Sequence, residues 1–196
     1  NMIEPVWKSY IIKTTEPVLT PQQCDEFIRI GQNEPKIKGT TTNAEANRGN
    51  THRNSSISWI PPAKAPALYK PIHEWIVRIN NNNFGFDPIQ SMEAGQYAEY
   101  VKGDFYNWHM DSGVDMKDMP PVRKISMTLL LSDPKDYEGG YLQIFGGNLL
   151  EAEKSKIKIE KGYAIFFASF LMHRVAPITK GNRKSLVMWF GGTPLK

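Results

Sequence analysis

The chain has 196 residues, of which 40% are hydrophobic and 22% are charged, a composition that favours one folded domain with a sizeable core. Its net charge of +4 is too small for a nucleic-acid-binding tail. The single Cys24 excludes an intramolecular disulfide, and it therefore excludes the class of secreted proteins whose fold depends on disulfides. The segment NMIEPVWKSY lacks a signal-peptide pattern and no apolar run is long enough to span a bilayer, so we expect a soluble, intracellular (cytoplasmic) protein without a membrane partner.

Two helices are predicted in the first third of the chain. The segment TPQQCDEFIRIGQ begins with Thr20 as N-cap and Pro21 at the first helical position, and Gln23 completes a capping box. The segment PALYKPIHEWIVRINNNN repeats apolar residues at helical spacing, and we expect Pro71 in its first turn and the asparagine run at its end. Between the helices, the polar segment KGTTTNAEANRGNTHRNSS predicts a long mobile loop of the kind that serves as a lid.

From about residue 89 onward, short strand patterns alternate with turn residues. The predicted strands are IQSMEAGQYAEY, FYNWHMD, KISMTLLLS, GYLQIF, SKIKIE, YAIFFAS, HRVAPI and KSLVMWF, and the turns include SDPKDYEGG and TKGNR. Helices first and strands afterwards indicate a mainly β (α+β) protein, an antiparallel sandwich or barrel with helical support. We expect a single domain, residues 1–196, with helices and the mobile loop in 1–88 and the strand-rich core in 89–191.

The strand FYNWHMD carries a candidate metal site. Side chains alternate along a strand, so His109 and Asp111 point to the same face and can share a metal ion. The alternative is a core histidine that Asp111 satisfies. His173, which follows the apolar strand YAIFFASFLM, is a candidate third ligand. Two histidines and one carboxylate, with open positions, form the facial triad of non-haem Fe(II) oxygenases.

A candidate anion site follows in RKSLVMWF, where Arg183, Ser185 and Trp189 share a face. An arginine in a protein interior is costly unless it binds an anion, and its planar guanidinium matches a carboxylate. Tyr100, nine residues before His109, can offer a hydroxyl to the same anion. Together with a metal triad, these residues indicate a dicarboxylate ligand held at both ends.

The segments YVKGDFYNWHMD, RKISMTLLLSDPKDYEGGYLQIFGG and HRVAPITKGNRKSLVMWF together resemble the Fe(II)- and 2-oxoglutarate-dependent dioxygenases, in particular the prolyl 4-hydroxylase-like branch and its PKHD-type hydroxylases. The resemblance implies a double-stranded β-helix, a cupin-like jelly roll with the metal between its sheets. It implies Fe(II), the co-substrates 2-oxoglutarate and O2, and ascorbate as a supporting reductant.

Residue by residue, the resemblance assigns the iron to His109, Asp111 and His173. It assigns the distal carboxylate of 2-oxoglutarate to Arg183, supported by Tyr100. Some relatives have a tyrosine where this chain has Leu130, and Thr128 or Ser185 is the candidate replacement hydroxyl. The candidate substrate contacts are Arg53, which we expect in the mobile loop, Tyr106 and Trp189.

The implied reaction is hydroxylation of a C–H bond, with decarboxylation of 2-oxoglutarate to succinate and CO2. A peptidyl proline in a peptide or protein is the preferred substrate. A free amino acid, a small molecule and a nucleic acid base would use the same chemistry, although base-repair relatives carry a second arginine six residues after the first, where this chain has Trp189. Outside this chemistry, the sequence is compatible with a non-catalytic jelly-roll binding module or a zinc hydrolase.

The remaining histidines, His52 and His73, are expected at the surface or in loops. The segment DSGVDMKDMPPVRK is a candidate lid or connection. The sequence predicts no oligomeric state.

Overall fold

A computed structural model describes residues 9–39, 52–87, 89–91, 93–112 and 121–193. Residues 40–51 of the predicted mobile loop and residues 113–120 of the DSGVDMKDMPPVRK segment lie outside the described residues. The predicted lid functions of both segments therefore stay predictions.

The first predicted helix is confirmed as α1, Pro21–Asn33. The Thr20 hydroxyl accepts a hydrogen bond from the Gln23 backbone N–H at 3.2 Å, and the Gln23 side chain accepts one from the Thr20 N–H at 2.8 Å. This reciprocal pair is the predicted capping box, and it satisfies two backbone donors that a helix start otherwise leaves unpaired.

The second helix, α2 at Pro66–Ile79, differs from its prediction at both ends. Pro71 lies in the helix interior and not in the first turn, because the helix begins at Pro66. The asparagine run does not end the helix but continues it as one π-helical turn, Asn80–Phe84, up to Gly85 at φ 69°. The Asn80 side chain explains this continuation, since it bonds both the N–H and the carbonyl of Phe86 and so secures the chain beyond the turn.

A third helix, α3 at Leu149–Lys154, is a short segment of six residues. None of the helices in the described parts of the chain combines the length and apolar character needed to traverse a lipid bilayer.

The strands form two antiparallel sheets. In chain order they are β1 Ile11–Lys13, β2 Ile37–Lys38, β3 Arg53–Asn54, β4 Ser56–Ile60, β5 Gln90–Ser91, β6 Gly95–Val101, β7 Phe105–His109, β8 Val122–Leu130, β9 Tyr137–Gly139, β10 Leu142–Ile144, β11 Ala164–Ala168, β12 His173–Val175 and β13 Ile178–Gly192. The large sheet has the order β1-β11-β8-β13-β6-β4-β2, with β5 and β9 also paired to β13, and the small sheet has the order β10-β12-β7-β3.

The alternation of side chains on β8 and β13 gives the large sheet two different faces. The outer face carries the buried apolar residues Ile125, Met127, Leu129, Leu186, Met188 and Phe190, which share one core with α1 and α2. The inner face carries Thr128, Ser185, Val187 and Trp189, which line a cavity together with residues of the small sheet. Two facing sheets, with α1 and α2 on the outer side of the large one, confirm the predicted jelly-roll architecture.

Some strand predictions were wrong in detail. SKIKIE forms only an isolated bridge, between Ile157 and Leu142. The predicted turn SDPKDYEGG contains β9, and the predicted turn TKGNR lies inside β13. Gly181 accounts for the last difference, because at φ 76° it packs against the carbonyl of Asp136 and pairs with Tyr137 of β9. The register of β13 against β9 shifts between Ile178 and Lys180, and the two strands stay paired on both sides of this irregularity.

Candidate metal centre and its pocket

The three predicted metal ligands converge at one end of the small sheet. His109 ends β7 and His173 begins β12, and the two are direct partners in the antiparallel register. Nε2 of His109 lies 3.4 Å from Oδ1 of Asp111, and Nε2 of His173 lies 3.6 Å from Oδ2. The ligand atoms of all three residues lie within 4.8 Å of one another. Asp111 follows the end of β7, and its backbone N–H is bound to the Ser169 carbonyl at 3.0 Å.

Backbone carbonyls set the orientation of both imidazoles. Nδ1 of His109 lies 2.7 Å from the Asn107 carbonyl, and Nδ1 of His173 lies 2.9 Å from the Leu171 carbonyl. A carbonyl only accepts, so each Nδ1 carries a proton, and each ring in its neutral form directs an Nε2 lone pair at the cluster. Two lone pairs and a carboxylate facing one another repel unless a cation lies between them. This geometry favours the metal site over a core histidine satisfied by Asp111.

The protonation states also suit a metal. Burial raises the pKa of Asp111, but the neighbouring His173 and His109 and the Ser126 hydroxyl outweigh burial and hold this pKa below its usual range. Burial lowers the pKa of His173 to about 4, although the Asp111 charge opposes the change. At neutral pH the carboxylate is therefore ionised and His173 is neutral, which is the state in which both residues bind a divalent cation.

Arg183 provides a buried positive charge in the same pocket. Its side chain is buried, with 2% of its surface exposed, and its Nη1 donates to the Ser185 hydroxyl at 3.1 Å. Among the described residues, none accepts a hydrogen bond from its buried Nε atom. The guanidinium carbon lies 5.8 Å from the centre of the Tyr100 ring. A buried guanidinium with a free donor is suited to a carboxylate from a ligand.

All of the predicted site residues line one pocket between the two sheets. Its lining residues are Arg53, Gln96, Tyr100, Tyr106, His109, Asp111, Thr128, Leu142, Phe167, His173, Val175, Arg183, Ser185, Val187 and Trp189. A larger groove of about 790 Å³ runs along α2 but contains none of the predicted site residues. The structure places these residues close enough together for their predicted roles. The role of each individual side chain stays a prediction.

Two predicted substrate contacts have surroundings that the sequence did not reveal. The prediction that Arg53 lies in the mobile loop was wrong: it lies in β3, is 4% exposed, and bonds Ser55 and Gln96, each at 2.8 Å. Its position follows from the pairing of Arg53 with Tyr106 on β7, whose ring it covers at 4.5 Å. Tyr106 in turn stacks on His109, with ring centres 3.5 Å apart.

Two further residues near the metal ligands were missed. Ser126 donates a hydrogen bond to Asp111 at 2.7 Å, and the alternation along β8 that led to Thr128 could have identified it. His52 lies in a loop as predicted, but its ring centre lies 6.3 Å from that of His109, and burial together with that neighbour lowers its pKa. His73, also expected at the surface or in a loop, lies half-buried on α2.

A jelly roll in which two imidazoles and one carboxylate converge between the sheets defines a metal-binding double-stranded β-helix protein. Residues 95–191 match the family model of the 2OG-Fe(II) oxygenase superfamily. This match confirms the resemblance to the Fe(II)- and 2-oxoglutarate-dependent dioxygenases that the sequence segments indicated.

Curated relatives include two PKHD-type hydroxylases. The protein of Alteromonas mediterranea is 33% identical over 96 residues, which cover 47% of this chain and 41% of the relative. The protein of Colwellia psychrerythraea is 37% identical over 100 residues, which cover 51% of this chain and 43% of the relative. Both matches therefore span less than half the length of the relatives.

Solved structures share the fold over nearly the whole chain. The viral collagen prolyl hydroxylase of Paramecium bursaria Chlorella virus-1, in its 2OG complex, has a TM-score of 0.70 at 21% identity and covers 95% of this chain and 97% of its own. A Pseudomonas putida prolyl-4-hydroxylase has a TM-score of 0.69 at 21% identity, with 94% of each chain covered. A Trichoplax adhaerens prolyl hydroxylase in complex with a peptide fragment of hypoxia inducible factor has a TM-score of 0.69 at 18% identity and covers 93% of this chain and 84% of its own.

Proposed function

We propose that this protein is a 2-oxoglutarate-dependent dioxygenase that hydroxylates a C–H bond, with a peptidyl proline as the preferred substrate. The observation that carries the proposal is the presence, in one pocket, of a converging His109, Asp111 and His173 cluster and a buried Arg183 whose Nε atom finds no acceptor among the residues that the structure describes. A metal site alone fits many reactions. A metal site with an anion-binding arginine beside it fits a dicarboxylate co-substrate that reaches from one to the other.

His109, Asp111 and His173 are the residues that would hold the Fe(II). Two neutral imidazoles and one carboxylate suit this ion and leave coordination positions for other ligands. Fe(II), once bound, supplies the redox chemistry by which 2-oxoglutarate, O2 and a C–H bond give succinate, CO2 and a hydroxylated product. Ascorbate is the proposed supporting reductant.

The co-substrate lies, in this proposal, with its distal carboxylate on Arg183. Tyr100, Thr128 and Ser185 line the same pocket and provide hydroxyl groups around that carboxylate. Leu130, which stands where some relatives have a tyrosine, is buried in an apolar cluster and brings no polar group. Thr128 or Ser185 therefore takes over the role of that tyrosine.

The substrate wall is formed, in this proposal, by Arg53, Tyr106 and Trp189. Tyr106 and Trp189 offer flat apolar surfaces beside the metal ligands, as a proline ring requires. The structural similarity to prolyl hydroxylases, one of them solved with a peptide, supports a peptide or protein as the partner. The PKHD-type names of the curated relatives support a hydroxylase.

The test of the co-substrate site is an anaerobic titration of metal-free protein with Fe(II) and then 2-oxoglutarate, followed by the visible metal-to-ligand charge-transfer band. We expect the band in the wild type and in His73→Ala, whose histidine lies on α2 outside the pocket, and no band in His109→Ala. Bound iron without a band in the wild type would exclude chelation by the keto acid and favour a hydrolase or a binding module.

The test of the substrate is an aerobic incubation with a set of proline-containing peptides, with succinate and peptide mass measured together. We expect stoichiometric succinate and a peptide mass gain of one oxygen. Succinate formation without that gain on any proline peptide would retain the oxygenase and refute the proline substrate.

A further inference from the structure

Oδ2 of Asp111 accepts two hydrogen bonds inside the protein. The Ser126 hydroxyl donates to it at 2.7 Å, and the Trp189 indole N–H donates to it at 2.9 Å. The other carboxylate oxygen, Oδ1, faces Nε2 of His109 at 3.4 Å, and Oδ2 also lies 3.6 Å from Nε2 of His173. The two oxygens therefore differ in how available they are to a ligand, because protein donors already use most of the lone pairs of Oδ2.

The two donors reach the same oxygen because of the strand register. Ser126 on β8 and Trp189 on β13 are directly paired across the large sheet, and both point to its inner face. Direct cross-strand partners lie side by side on one face, so an oxygen above them can accept from both. The sheet itself therefore places both donors, while Asp111 reaches them from just beyond the end of β7.

Further contacts hold each donor in place. The Ser126 hydroxyl lies 3.0 Å from the Ser169 hydroxyl, and the Ser169 carbonyl accepts the backbone N–H of Asp111. The Trp189 ring is covered by the Arg123 guanidinium at 3.9 Å. The side chain and the backbone of Asp111 are thus held by the same group of residues.

We propose that Ser126 and Trp189 are positioning residues that occupy Oδ2, so that Asp111 presents only Oδ1 to the metal. A carboxylate that bound through both oxygens would take up a coordination position that the co-substrate or O2 needs, and the two donors prevent this. The proposal rests on the proposed function for the identity of the metal as iron. It gives Trp189 a role through its N–H group that is separate from any contact of its ring with substrate.

Cobalt(II) titration of the metal-free protein tests the proposal without turnover and without 2-oxoglutarate. Trp189→Phe removes the N–H and keeps an aromatic ring, and Ser126→Ala removes only the hydroxyl. The matched controls are Trp59→Phe, whose ring lies beside that of Trp189 at 6.1 Å, and Ser58→Ala, a fully buried serine that donates to the Gly31 carbonyl. Because cobalt binding is independent of the oxygenase reaction, a failed hydroxylation assay would leave this test intact.

We expect each test variant to bind Co(II) about 10- to 100-fold more weakly, with a changed visible cobalt spectrum that reports the altered coordination. The controls should keep the wild-type affinity and spectrum. Wild-type affinity and spectrum in both test variants, or equal losses in the controls, would overturn the proposal.

A wild-type measurement covers the case in which a variant does not fold. In ¹H–¹⁵N spectra, the indole N–H of Trp189 should exchange slowly with deuterium and shift when Zn(II) binds. A rapidly exchanging signal that Zn(II) leaves unmoved would show that this N–H does not hold Asp111, and it would overturn the proposal.

Discussion

Replacing Arg183 with methionine should change stability and ligand binding in opposite directions. Within the described part of the chain, the buried guanidinium donates one hydrogen bond, to Ser185, and its Nε atom has no acceptor. An unsatisfied buried polar group costs about 1–3 kcal/mol, and a hydrogen bond contributes about 1 kcal/mol. Arg183→Met should therefore raise the free energy of unfolding of the ligand-free protein by up to about 2 kcal/mol, because an apolar chain of similar length fills the site without a charge.

The same substitution should largely abolish 2-oxoglutarate binding. Two charge-assisted hydrogen bonds from the guanidinium to a carboxylate contribute about 1.5–3 kcal/mol each, so their loss weakens binding at least about a hundredfold. Urea unfolding without ligand measures the first effect, and calorimetric titration of the metal-loaded protein with 2-oxoglutarate measures the second. Arg174→Met is the matched control, since Arg174 bonds Gln143 and covers Trp108 outside the pocket.

Two results would refute this reasoning about Arg183. A ligand-free methionine variant that is less stable than the wild type would show that the buried charge does not lower the free energy of unfolding. A variant that binds 2-oxoglutarate within about threefold of the wild type would show that the distal carboxylate lies elsewhere, since a lost charge-assisted bond costs more than that.

Three further outcomes are expected. Burial raises the pKa of the Cys24 thiol to about 12, so a thiol reagent at pH 8 should leave the native protein unmodified and react only after unfolding; rapid native labelling would contradict this. Gly181→Ala should cost about 1–2 kcal/mol more in urea unfolding than Gly103→Ala, because both have positive φ but only Gly181 packs against the Asp136 carbonyl. Burial lowers the pKa of His173 to about 4 in the folded metal-free protein, below that of an unfolded histidine, so the unfolded chain binds the extra proton. The free energy of unfolding should therefore fall as pH falls from about 6.5 towards 4. A urea midpoint at pH 5 equal to that at neutral pH would contradict this direction.

The pocket was predictable because it follows from the period of the strands. Arg183, Ser185 and Trp189 on β13 are separated by even numbers of residues, and polar residues at such positions among apolar neighbours stand out in a sequence. His109 and Asp111 have the same spacing, although β7 ends at His109 and Asp111 lies just beyond it. The structure brings each of them to the pocket. Local rules of this kind hold wherever one face of a sheet is buried.

What the sequence did not predict depends on contacts between distant segments. Arg53 lies in a polar stretch and is part of β3 only because Tyr106 on β7 pairs with it. Ser126 has an ordinary strand environment in the sequence, and its importance comes from Asp111, fifteen residues away in the chain but 2.7 Å away in space. The helical asparagine run likewise depends on the bonds of Asn80 to Phe86. Propensity alone misjudges such positions, since tertiary contacts decide them.

The division of the site between two sheets links its chemistry to the stability of the fold. The small sheet carries both imidazoles, while the large sheet carries Arg183 and the two donors that hold Asp111. The separation of the sheets therefore sets both the geometry of the metal ligands and the distance from the metal to the anion site. The outer face of the same large-sheet strands forms one core with α1 and α2. Substitutions in that core that shift β8 or β13 should weaken metal binding even though they touch no ligand, because they move the partners of Asp111.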